Sequence, residues 1–271
     1  MKVNRTFILV NRDDFVKKPD WKLAHEAICD AIAGVVWPPN APDGMFTLPR
    51  IATLKPGTEY KTLKGEVATW TKKATNIRNG VVPLRQAFRK NMERTVDWKA
   101  EEPLSLTKYF EETRRNEGLA SICLYPSGEA LTEPLHEGVG EFDFWFKSSD
   151  GFRVVVEWET GNISSSHRSL NKMCLALMGD IADAAVLIVP SIALAPHLTD
   201  RIGNIRELQP YFYFWQSLAP RIRKGLLAVI EVEQDRTTSS LDLRDFIPSG
   251  FDGNAKKKRG KKSLTKKTEK R

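Results

Sequence analysis

Cysteine is scarce in this chain, and the little there is forms no pattern. Cys29, Cys123 and Cys174 are odd in number and widely spaced, with no Cys-x-x-Cys pair. Neither a disulfide framework nor a zinc site is expected, and a reducing, cytoplasmic setting fits. Long apolar runs are missing as well. The longest, around Ala184–Val189 and Leu226–Ile230, are strand-sized, against the ~20 residues a membrane-spanning helix needs. The opening Met1–Val10 has a basic residue and a short apolar stretch. It lacks the apolar core and small-residue cleavage site of a signal peptide, so none is expected. The four histidines, His25, His136, His167 and His197, stand apart from one another and suggest no catalytic group.

What is present is an ordinary soluble composition, 41% hydrophobic and 28% charged over 271 residues, enough chain to bury a substantial core. The net charge of +8 is unevenly placed. Residues 256–271 hold ten Lys or Arg against Glu269, a net +9, and subtracting this from +8 leaves −1 for residues 1–255. The basicity therefore sits on a tail, and any DNA-binding role of the body must rest on local arrangement. From about Pro248 the chain has almost no apolar residues. The expected organisation is a single α/β domain over residues 1–250, with its core at about 105–235, and a disordered basic tail at 251–271.

Helical spacing of Trp21, Ala24, Ile28 and Ile32 predicts an amphipathic helix after an opening strand or helix. The Pro/Gly-rich Trp37–Gly44 predicts a long loop. Pro83, then Leu84, Phe88 and Met92, predict a second helix. Arg78, Arg85, Arg89 and Lys90 lie close together around it, either as a solvated face or as phosphate contacts. A third helix is expected over Leu104–Ala120.

Then the period changes from helical to two. Glu141–Phe146 alternates, with Phe142, Phe144 and Phe146 on one face and Glu141, Asp143 and Trp145 on the other. Lys147–Gly151 is a turn, and Phe152–Glu159 alternates again, with Glu157 and Glu159 opposite Phe152, Val154, Val156 and Trp158. This predicts a β-hairpin with residue 143 opposite residue 156, give or take one. Gly161-Asn162 and Ser164–Ser166 then offer caps for a helix running to about Met178, followed by a buried strand at Ala184–Val189. A helical region near 200–223 and a second buried strand at Leu226–Val232 complete the pattern.

The hairpin brings Asp143, Glu157 and Glu159 to one patch. Like charges that close oppose one another in a purely structural sheet, whereas a hard divalent cation reconciles them and keeps water positions open for a phosphate. An acidic solvent-facing side of an ordinary hairpin explains the same spacing.

The run Glu157-Trp-Glu-Thr-Gly-Asn-Ile-Ser-Ser-Ser-His-Arg168, preceded by Asp143, resembles the metal-binding and recognition core of type II restriction endonucleases of the BamHI/BglII group, in the PD-(D/E)xK nuclease superfamily. The similarity extends over roughly residues 139–195, with Glu159 standing where most of the superfamily has lysine. The resemblance implies a central mixed β-sheet flanked by helices and Mg²⁺-dependent hydrolysis of double-stranded DNA at a short palindrome, with a GATC core. It implies Asp143 and Glu157 as metal ligands and Glu159 as the residue that orients or deprotonates the attacking water or holds a second metal. Glu117, or its neighbour Asn116, is the candidate for a fourth site residue on an upstream helix. Asn162, Ser164 and Arg168 are implied as DNA-binding residues, and the chemistry suits them. Asn pairs bidentately with adenine and Arg with guanine, each worth roughly 1–3 kcal/mol of discrimination. Helix capping by Asn162 and Ser164, with Arg168 on the surface, is the plainer account of the same residues.

One such site cuts one strand, so a double-strand break at a palindrome calls for a homodimer. A cognate DNA methyltransferase in the host is the implied functional partner. Three other readings fit the residues without the resemblance. They are a repair or structure-specific nuclease, a non-catalytic DNA-binding module using the tail and the Arg78–Lys90 region, and a hydrolase using two of the carboxylates as acid and base.

Overall fold

The computed structural model describes residues 1–94, 98–100, 103–105, 123–129, 138–148, 150–159, 161–199 and 202–248. The stretch expected to form the tail lies outside them.

Six strands make the central sheet: β1 (Lys2–Arg12), β2 (Trp98–Ala100), β3 (Phe144–Lys147), β4 (Arg153–Trp158), β5 (Ala184–Pro190) and β6 (Gly225–Glu233). Their order is β1-β6-β5-β4-β3-β2. β4, β5 and β6 run parallel, and β1, β3 and β2 pair antiparallel, so the sheet is mixed. Parallel neighbours need a crossover; helix α3 (Ile163–Met178) joins β4 to β5. Helices α1 (Pro19–Ala33) and α2 (Val82–Met92) cover one face, through Trp21, Ile28, Ile32, Leu84 and Phe88 against Val154, Val156, Val186 and Ile230. α3 and the short helices α4 (Ile205–Leu208) and α5 (Phe212–Gln216) cover the other, through Leu170, Met173, Ile205 and Trp215 against Val155, Leu187 and Val229. β5 and β6 are apolar on both faces because each face meets a helix layer. The architecture is the α/β fold expected, a central mixed sheet flanked by helices.

The helices start and stop for local reasons. Pro19 and Pro83 stand in the first turns of α1 and α2, where a missing N–H costs nothing. Asn162 caps α3 by accepting from Ser165 N, and Gly179 follows its last turn.

Two expectations change. The Glu141–Phe146 alternation is not one strand. Gly138–Glu141 pairs with Pro103–Ser105, the chain bends at Phe142–Asp143, and only Phe144–Lys147 joins the central sheet. Phe142 is consequently buried on the α3 side while Phe144 is buried against α2; period-two alternation holds only within an unbroken pleat. The helix expected over Leu104–Ala120 begins instead in that short strand, and its remainder lies outside the described residues.

At the starts of the three parallel strands a charge network ties them together. Asp183, almost fully buried, accepts from Arg153 N and Nε, each at 2.9 Å, and from Arg153 Nη2 at 3.1 Å, and pairs with Lys224 Nζ at 3.1 Å. Gly225, at φ +128, passes this knot so closely that a Cβ there would sit 3.0 Å from Asp183 O. Burial pushes the Asp183 carboxyl up, but the bonds to Arg153 and Lys224 outweigh it and hold it below the usual aspartate value. The stability it contributes is therefore present above the unfolded pKa and is lost as pH falls through the lower folded value. Asp183→Ala, which strands Arg153, is expected to cost about 3 kcal/mol or more in urea denaturation at neutral pH. The loss should shrink as the pH is lowered below ~4; an equal loss at all pH values would show that the charge is not what matters.

Candidate active site

The register Phe144↔Val156 carries Asp143 opposite Glu157 one step beyond the ladder. Asp143 stands at the bend, where Oδ2 accepts from Trp158 N at 2.9 Å. On its other side Arg85 of α2 reaches Asp143 Oδ1 at 3.2 Å. Glu157 lies between Val156 and Trp158, both buried toward α1 and α2, so its own side chain turns to the α3 face. There it meets Lys172 Nζ, which also donates to Glu141 O at 2.6 Å and lies 4.2 Å from the Phe142 ring centroid.

The two carboxylates are enclosed rather than solvated, with side chains 14% and 13% exposed. Burial, then the neighbouring Asp143 charge, pushes the Glu157 carboxyl up to about 7; Lys172 opposes the shift and Glu159 adds to it. A proton therefore competes at neutral pH for a place between two acids. Two side-chain cations, Arg85 and Lys172, stand at the pair from opposite helix layers.

Glu159 stands on the α3 side, as Glu157 does and as its spacing suggests, but its carboxylate is engaged by the chain that follows it. The strand ends at Trp158, Glu159 N still donates to Ile188 O, and the side chain folds under the next loop. It is 4% exposed, with Oε1 accepting from Gly161 N at 2.5 Å and Oε2 accepting from Ser166 Oγ. Among the described residues no group of three His, Cys, Asp or Glu is placed to hold a metal ion. The donors that face each other are Asp143 and Glu157. Their hard, facing oxygens suit a small divalent cation that keeps water and phosphate oxygens in its remaining positions; such an ion would compete with Arg85 and Lys172 for them.

Asn162, Ser164 and Arg168 are all exposed at the start of α3. Asn162 acts as a cap, as its plainer account has it, and Ser164 makes no cap bond. Ser164, Arg168 and Lys172 are spaced by four and share one stripe of the helix. The stripe runs from the exposed first turn to the carboxylate of Glu157. Glu117 and Asn116 lie outside the described residues. His167 packs its ring at 4.4 Å from Tyr211 and 5.3 Å from Trp215, and His197 accepts from Ile51 N at 3.3 Å.

Sequence reasoning missed Lys172 and the role of Arg85 as the partner of Asp143. The signal for Lys172 was its spacing of four from Arg168; which helix face meets Glu157 is decided by packing.

A mixed sheet with an acidic pair at the end of its hairpin, and a helix leaving directly from that strand, is the arrangement expected of an α/β nuclease of the restriction-endonuclease type. The chain matches the family described as "Restriction endonuclease BamHI" over residues 1–254 and belongs to it. It is 43% identical over 136 residues to the type II restriction enzyme OkrAI of Oceanobacter kriegii, covering 49% of this chain and 67% of that one. It is 32% identical over 179 residues to the type II restriction enzyme BamHI of Bacillus amyloliquefaciens, covering 66% and 69%. Among solved structures it is similar to restriction endonuclease BglII in complex with a DNA 16-mer, with a TM-score of 0.46 and 11% identity over 87% of this chain and 79% of that one. The protein is a type II restriction endonuclease, cleaving double-stranded DNA at a specific site. Among the described residues no helix is long and apolar enough to cross a membrane.

Proposed function

We propose that this endonuclease is magnesium-dependent and acts in the cytoplasm as a homodimer on a short palindrome with a GATC core, alongside a cognate methyltransferase that protects the host's own sites. The juxtaposition of Asp143 and Glu157, enclosed and charge-frustrated at the end of β4, supports the reading most directly. These two residues would hold Mg²⁺, which when bound polarises the scissile phosphate and lowers the pKa of a water. Asp143 is oriented at the bend by Trp158 N on one oxygen and Arg85 on the other. Lys172 and Arg85 are cations within reach of a phosphate brought to the pair. Glu159 holds the loop that delivers Asn162 to the start of α3 and so couples the chemistry to recognition. Asn162, Ser164 and Arg168 reach base edges in the major groove. Water adds to phosphorus, a P–O bond breaks, and the water's proton ends on the departing oxygen.

Digestion of unmethylated phage DNA with and without Mg²⁺ tests the reading. Discrete bands in Mg²⁺ and none in EDTA are expected, and the fragment ends give the site. A Mg²⁺-dependent smear would mean a nuclease without a recognition sequence. Sedimentation on cognate DNA should show two chains per duplex; one chain would overturn the dimer.

The family match ends at residue 254, before the ten basic residues of 256–271. Removing residues 256–271 is expected to leave the fragment pattern unchanged and to slow association with DNA at low ionic strength. The deficit should fade as salt screens the tail's charge. An altered fragment pattern would give the tail a part in recognition.

A further inference from the structure

Apart from the site, residues 50–78 carry seven Lys or Arg against Glu59 and Glu66, a net +5. Residues 1–255 as a whole sum to −1, so this segment opposes the body it is attached to. It forms two short ribbons, Ala52–Leu54 with Thr75–Ile77 and Glu59–Lys61 with Val67–Thr69. Between Ile51 and Arg78 only Leu54 is buried. A segment that buries one side chain does little for the core, so its exposed surface needs another explanation.

Lys55, Lys64, Lys72 and Lys73 are exposed, and none forms an ion pair with a described carboxylate. The Lys72-Lys73 turn is fixed in place: Trp70 Nε1 donates to Lys73 O at 3.0 Å, Tyr60 stands edge-on to the indole at 5.7 Å, and Lys72 Nζ lies 5.8 Å from it.

The roots of the segment say which way it faces. Ile51 N and Asn79 N both donate to His197, which follows the C-terminal end of β5. Lys61 N donates to Leu241 O and Leu243 N to Lys61 O, on the chain that follows the C-terminal end of β6. β4, β5 and β6 are parallel, and β4 carries Glu157 next to its last residue, Trp158, and leads through Glu159 to Asn162. The basic ribbons are thus anchored along the same edge of the sheet as the acidic pair and the recognition helix.

We propose that the Arg50–Arg78 ribbons are a second DNA surface, contacting backbone phosphates of the duplex flanking the sequence that α3 reads. The proposal rests on the endonuclease reading. Its ligand is chosen by charge: exposed, unpaired lysines on a ribbon suit regularly spaced phosphates, and such contacts position a protein without reading sequence.

The test compares the full chain with the triple variant Lys64→Gln, Lys72→Gln, Lys73→Gln, binding in metal-free buffer to two duplexes. One is trimmed to the mapped site; the other extends it by about one helical turn on each side. On the long duplex the variant should bind about tenfold more weakly at low salt. The slope of log affinity against log salt should fall by about one for each lysine that meets a phosphate. On the trimmed duplex the two proteins should differ much less. Equal affinities and slopes on the long duplex would overturn the proposal. Equal weakening on both lengths would also overturn it, since that marks a general loss of charge rather than flanking contact. Unchanged thermal stability of the variant excludes misfolding as the cause. The endonuclease reading is judged separately, by whether the unaltered protein gives discrete bands.

Discussion

Asp143→Asn and Glu157→Gln are each expected to reduce specific cleavage by about 10³-fold or more while leaving binding to the cognate duplex intact or tighter. A metal ion at a scissile phosphate contributes several kcal/mol of charge stabilisation, and about 4 kcal/mol corresponds to that factor. The amide variants are nearly isosteric, so the fold is spared. In Asp143→Asn the amide oxygen can still accept from Trp158 N, keeping the bond that Asp143 makes at 2.9 Å. Binding is expected to survive because the proposed DNA contacts, Asn162, Ser164 and Arg168, lie on the exposed start of α3, apart from the acids. Removing a negative charge near the phosphates also relieves repulsion. Single-turnover cleavage and a gel shift on the same duplex make the measurement. Cleavage by either variant within tenfold of the unaltered protein would remove that residue from the site.

The second large effect is a dependence on pH that magnesium shifts. Glu157 must be ionised to hold a cation, yet burial and the Asp143 charge push its carboxyl up to about 7. At subsaturating Mg²⁺ the cleavage rate should rise about tenfold per pH unit below 7 and level off above it. Raising Mg²⁺ should move the break to lower pH, because metal and proton compete for the same oxygens. The metal-free protein should show the same group in its stability. With a folded pKa raised above the unfolded value, the stabilising contribution is present below pH ~4 and is lost as pH rises toward 7, by about 3 kcal/mol if Glu157 alone is responsible. Glu157→Gln should remove that loss and stabilise the metal-free protein at neutral pH. Lys172 opposes the shift, so Lys172→Met should move the cleavage break to higher pH. A rate flat from pH 5.5 to 8 at low Mg²⁺, where a rise of about thirtyfold is expected, would show that Glu157 is not a ligand.

The site was legible to the extent that its members are local. Asp143 and Glu157 sit on neighbouring strands joined by a short turn, so spacing alone brought them together to within one residue of the observed register. Asn162 as a cap and Gly179 as a stop bounded α3, and β5 and β6 were visible as unbroken apolar runs. Spacing could not show what holds the Glu159 carboxylate, because its partners come from beyond the strand. The strand stops at Trp158, and Gly161 N and Ser166 Oγ then bid for the carboxylate more strongly than the acidic pair, which repels it. The bend at Phe142–Asp143 escaped notice for the same reason: the sequence alternates through it while the hydrogen bonding changes partner.

From the amino-acid order alone follow most element types, the carboxylate pair, the capped start of α3 and the separation of a near-neutral body from a basic stretch at 256–271, because each depends on neighbours a few residues apart. Tertiary structure alone decided that β1 closes the sheet against β6, more than 200 residues away. It also decided that Arg85 and Lys172 converge on the acids from opposite helix layers, and that the Arg50–Arg78 ribbons share the edge where β4 ends. Those outcomes depend on how distant segments pack, and no local period encodes which faces will meet.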